Sequence, residues 1–130
     1  TTTEQAERLV AIYHEQGCIG AGVETDFFQG LLKQDIDRIA KTKGMAIHSY
    51  GIRTAGVPKP TRIVSLTPYL SQGLLRVMDG DGGRLLVQQL RNFAMKMPAG
   101  LHDDLPDALD QAVTLARHLL GQKAERERVR

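Results

Sequence analysis

The stretch His102-Asp103-Asp104-Leu105-Pro106-Asp107-Ala108-Leu109-Asp110 carries four carboxylates in eight residues. Side chains three or four positions apart share a helix face, so Asp103 with Asp107, or Asp104 with Asp107, would project together. Neighbouring carboxylates repel, and a divalent cation between them offsets that cost; hard Mg2+ or Mn2+ prefers such oxygen ligands. Aspartate is also favoured at helix N-termini by capping and by the dipole, and Pro106 suits a first turn, so a metal site and a plain acidic helix start both stand. Glu24 shifts the balance towards metal. It closes the short apolar stretch Cys18–Val23, which reads as a buried strand, and ligands in open α/β sheets bind at the carboxyl ends of strands. Asp26 reads instead as the N-cap of the helix that follows.

Basic residues are segregated from these acids. Residues 30–62 carry Lys33, Arg38, Lys41, Lys43, Arg53, Lys59 and Arg62 against only Asp35 and Asp37, whereas residues 98–112 hold the four aspartates and no lysine or arginine. That separation suits a polyanion path beside a metal site, and solvated helix faces are the alternative. Arg53 and Lys59 fall in a stretch rich in glycine and proline, 51–60, a loop where basic side chains meet a ligand. Arg62 follows closely, and either contacts phosphate or pairs with a surface carboxylate. Residues 122–130 hold four basic and two acidic residues, which accounts for the whole net charge of +2.

Other chemistries are set aside. The chain has no Gly-x-x-x-x-Gly-Lys phosphate loop, hence no ATP site of that kind. Asp79-Gly80-Asp81-Gly82-Gly83 superficially resembles a calcium loop, but no acid follows to close the coordination. The single cysteine, Cys18, excludes an internal disulfide and a thiolate metal site, and reads as a small apolar residue entering the strand. His14 lies four residues before it, but Gly17 breaks the chain between them. His102 reads as a support for the acids or a loop-end hydrogen-bond partner, while His14, His48 and His118 lack ligand spacing.

Helical spacing of Ala6, Leu9, Val10 and Tyr13 predicts a helix from Thr3, as cap, to Gln16, with Gly17 as stop. After the strand ending at Glu24, Phe27, Phe28, Leu31, Leu32, Ile36 and Ile39 predict a second helix up to Lys43-Gly44. Met45–Tyr50 reads as another strand, and the α-β-α-β alternation argues for an α/β layered sheet. Thr61–Gln72 has helical spacing that Pro68 kinks or breaks. Leu74–Met78 reads as a short strand, residues 79–83 as a turn, Leu85–Phe93 as a helix and Asp104–Leu120 as a long helix with a frayed tail beyond. At 130 residues, 42% hydrophobic and 25% charged, one compact soluble unit is expected, without a membrane span or secretory signal and with a cytosolic setting by default.

The ordered set Gly22-Val23-Glu24-Thr25-Asp26-Phe27-Phe28-Gln29, Lys59-Pro60-Thr61-Arg62-Ile63, Leu66-Thr67-Pro68 through Gly73-Leu74-Leu75, Gln89-Leu90 and His102-Asp103-Asp104 with Asp107-Ala108-Leu109 resembles the C-terminal nuclease domain of phage terminase large subunits. The resemblance implies a ribonuclease-H-like mixed sheet flanked by helices over residues 1–121, with 122–130 a charged flexible tail. It implies cleavage of concatemeric double-stranded DNA with two Mg2+ or Mn2+ ions in a phage or prophage protein of the bacterial cytoplasm. The implied partners are an ATPase domain of the same parent protein, the small terminase subunit and the portal. Glu24 matches the family's second acidic position, and Asp103 and Asp104 its third, with Asp107 supporting the helix start; Lys59 and Arg62 match its basic motif. The first acidic position has no counterpart, since no aspartate precedes Asp26, so an N-terminally truncated and catalytically incomplete domain is expected. A non-catalytic DNA-binding module of the same fold, or another ribonuclease-H-like nuclease such as a resolvase, are the alternatives.

Overall fold

The computed structural model describes residues 1–24, 29–53, 56–94 and 104–129. The element order is α1 (Thr2–Gln16), β1 (Ala21–Glu24), α2 (Gln29–Thr42), β2 (Ser49–Ile52), α3 (Lys59–Val64), α4 (Thr67–Ser71), α5 (Asp81–Ala94) and α6 (Asp104–Val129). The chain is thus mixed α/β, mostly helical, and divides into two units, Thr1–Gly56 and Val57–Arg130. The division falls in the glycine- and proline-rich loop, where Pro58 has no backbone donor and neighbouring glycines disfavour regular structure.

The first unit realises the expected α-β-α-β order. The helix α1 starts two residues earlier than its spacing suggests, because Thr1, not Thr3, is the cap. The Thr1 hydroxyl accepts from the Glu4 N–H and Glu4 reaches back, a reciprocal box that satisfies two donors at once. At the other end Gly17 adopts the left-handed conformation (φ 61°), so its N–H bonds the His14 carbonyl and the Cys18 N–H bonds Tyr13 at 3.0 Å. Cys18 therefore terminates a helix and is exposed, rather than entering a strand. Strand β1 runs parallel to β2, with Glu24 opposite Ile52, and α2 is the crossover between them. The second strand sits later than Met45–Tyr50, because Gly44 (φ 67°) caps α2 and Met45 is spent returning its N–H to Ala40. Ala6 and Val10 of α1, Val23 of β1, and Ile36 and Ile39 of α2 form the core, with Leu9, Leu32, Met45 and Ile47 around it.

Among its described residues, the regular elements of the second unit are all helices. The expected Thr61–Gln72 helix is two helices, broken at Ser65-Leu66, since Pro68 cannot donate a backbone hydrogen bond within a continuous helix and instead occupies the first turn of α4. Leu74–Met78 is not a strand, and Met78 is 86% exposed. Among the described residues of this unit there is no strand for it to pair with. Helix α5 begins at Asp81, inside the expected turn, and α6 continues to Val129 through the residues expected to fray. Ile63, Leu66 and Pro106 are buried.

Candidate functional site

Glu24 is the last residue of β1, half-buried and opposite Ile52, the last residue of β2. Asp104 opens α6 and is exposed. Asp103, His102 and Asp26 lie outside the described residues. Glu24 belongs to the first unit and Asp104 to the second. Among the described residues no three His, Cys, Asp or Glu side chains gather as a metal-holding group. Glu24 and Asp104 each offer carboxylate oxygens, the type of donor that Mg2+ and Mn2+ take.

The polar geometry that the second unit does build surrounds the first two turns of α6. Arg62, in the last turn of α3, donates to the Asp107 carboxylate and, at 3.4 Å, to Asp110. Lys59, one turn earlier on α3, lies 3.7 Å from the second Asp107 oxygen. The side chains of Arg62, Asp107 and Asp110 are only 13%, 16% and 11% exposed, so solvent screens this network less than an ordinary surface ion pair. Burial works against the Arg62 charge, yet the hydrogen bonds and charges of Asp107 and Asp110 outweigh it, and its pKa is raised. Of the two readings open for Arg62, pairing with a carboxylate is therefore realised here, and phosphate contact would require breaking it. Asp107 faces these cations. It does not stand beside Asp104 as an unpaired second carboxylate.

On the other side, Gln89 of α5 is 8% exposed, and its side-chain oxygen accepts the Leu105 N–H at 3.0 Å. Neither Gln89 nor Asp110 was singled out by motif reasoning as a partner of the helix start. A signal existed for both: Gln89 is a polar residue on the stripe of Leu85, Leu86 and Leu90, and Asp107 and Asp110 are spaced to share a face towards one cation.

The remaining basic and acidic candidates are accounted for as follows. Arg53 is exposed just beyond β2. Lys33 pairs with Asp37 at 3.1 Å on α2, whereas Lys41 and Lys43 are exposed near its end. Asp79 and Asp81 pair with Arg84 at 3.3 and 2.6 Å, which gives these carboxylates a local partner without a calcium ion. A groove of about 290 Å³ lined by Leu75, Val77, Met78, Leu86, Leu105 and Leu109 has no carboxylate among these residues. No described helix is long and apolar enough to cross a membrane. Comparison of the chain with models of protein families, with curated proteins and with solved structures returns no match.

Proposed function

We propose that this chain is part of a ribonuclease-H-like endonuclease domain of the phage terminase large-subunit type, which cuts concatemeric double-stranded DNA. The observation that carries the reading is Glu24 at the carboxyl end of β1 in a parallel β1–α2–β2 unit, the place where α/β sheets present ligand-binding groups. The ordered motifs from Gly22 to Leu109 support it. Two divalent ions, when bound, supply an activated water and stabilise the leaving oxygen. Glu24 on β1 and Asp104 at the start of α6, with Asp103 next to it in the sequence, would hold them. On this reading the family's first acidic position has no counterpart among these residues, so these residues alone cut weakly or not at all.

Lys59 and Arg53 are the cations assigned to the DNA backbone, and their role is electrostatic positioning of a polyanion. The ATPase domain, the small subunit and the portal would be partners of the parent protein in the bacterial cytoplasm.

The test is Mn2+-dependent cleavage of plasmid DNA by the protein of the parent reading frame and by its Glu24→Ala and Asp104→Ala variants. Both variants should lose cutting while still binding DNA. A parent protein that binds DNA and cuts with neither Mn2+ nor Mg2+ would favour a DNA-binding module that has kept only the fold. Efficient cutting by residues 1–130 alone would show that no carboxylate is missing.

A further inference from the structure

We infer that Gln89 is a positioning residue for the Asp104 carboxylate, an inference that rests on the proposed role of Asp104 as a metal ligand. The first N–H groups of a helix have no acceptor within it, and they are ordinarily satisfied by a capping side chain a few residues upstream. In α6 the Leu105 N–H, which directly follows Asp104, is taken by a side chain sixteen residues earlier on another helix. The bond therefore does more than end a helix: it ties the turn that carries Asp104 to α5. Gln89 is nearly buried, so its amide has little competition from water and few alternative positions. From α3, Arg62 grips Asp107 and Asp110, three and six residues further along α6. The backbone of Asp104 is thus anchored on its carboxyl side by two helices, while its own side chain stays exposed.

A metal ligand must be held within about 0.5 Å of its working position by the groups behind it, and loss of such supporting groups commonly costs about ten- to a hundredfold in metal affinity. Glutamine suits this position because its carbonyl oxygen reaches the Leu105 N–H without bringing a charge that would compete with Asp104 for the cation.

The test is carried out on the protein of the parent reading frame with Mn2+ itself, by titration followed through water-proton relaxation, and by amide exchange at Leu105. Gln89→Met conserves volume but removes the acceptor; Gln89→Glu restores an acceptor; Gln89→Asn keeps an amide too short to reach and serves where the methionine variant does not fold. Gln89→Met and Gln89→Asn should speed Leu105 exchange and weaken Mn2+ binding about tenfold or more, with Gln89→Glu, which restores the acceptor, recovering the Leu105 protection. Unchanged Mn2+ affinity in the Met or Asn variant, with affinity lost in Asp104→Asn, would overturn the positioning role and leave the metal reading intact. A wild-type chain that takes up no Mn2+, or an Asp104→Asn variant that binds as wild type does, removes the metal reading at Asp104, and the positioning role falls with it.

Discussion

Arg62 shows how the surroundings of a side chain decide its use. A guanidinium beside a glycine-rich loop is equally suited to a phosphate and to a carboxylate, and here two largely buried carboxylates hold it. Removing it strands the Asp110 charge, which is 8% exposed as a residue. Arg62→Ala should therefore destabilise the chain by about 2–3 kcal/mol in urea unfolding, and the Arg62→Ala/Asp110→Asn pair should cost clearly less than the sum of the single changes. Additive costs would mean that the two groups act independently. A second residue-scale prediction concerns pH. The Asp35 carboxyl is held below its usual range by the Thr2 hydroxyl and by Arg38. For Asp37 burial pushes upward, but hydrogen bonds from Ser49 and Lys33 outweigh it and the net shift is downward. A carboxylate with a depressed folded-state pKa stabilises the fold above its unfolded value, near 3.9, and that contribution is lost as pH falls through the folded value. Thermal midpoints should thus fall between about pH 5 and pH 2 in wild type, and less steeply in Asp35→Asn and Asp37→Asn. Parallel curves for all three proteins would remove these carboxylates from the acid response.

At the scale of elements, two glycines predict opposite outcomes. A β-carbon on Gly83 would lie 2.0 Å from the Met78 carbonyl oxygen, so the first turn of α5 needs glycine for the chain before it to pass so closely. Gly83→Ala should destabilise by about 2 kcal/mol, in the range of overpacking. Gly121, inside α6, has open space where its β-carbon would be, and Gly121→Ala should stabilise by up to about 1 kcal/mol through helix propensity. Chemical denaturation reads both; equal signs would contradict the contrast. The presence of the helices was legible, since their apolar spacing is written in neighbouring residues and Gly17 and Gly44 mark two ends. Their boundaries were less so. The start of α1 turned on which of three adjacent threonines met Glu4, and the supposed Leu74–Met78 strand depended on a partner strand that local sequence does not specify.

For the molecule as a whole, each unit carries its own buried residues. Ile36 is fully buried in the first, and truncating it to alanine should cost about 2–5 kcal/mol, lowering amide protection at Val10 and Val23. Leu66→Ala should do the same for the second, at Ile63 and around Asp110. Hydrogen exchange resolved by residue checks this, and an Ile36→Ala effect confined to residues after Val57 would contradict the assignment of cores. What the sequence by itself determined is what neighbours in the chain decide: helix spacing, the glycine stops, the strand ending in Glu24, and the crowd of acids opening the last helix. Hydrophobic periodicity and capping act over one or two turns, so they can be read locally. Only the tertiary structure decided that the chain divides at its glycine- and proline-rich loop, that Arg62 serves Asp107 and Asp110, and that Gln89 holds the turn beside Asp104. Those outcomes depend on groups up to 48 residues apart meeting where water is largely excluded, and a charge or an amide does not disclose its partner until burial forces it to take one.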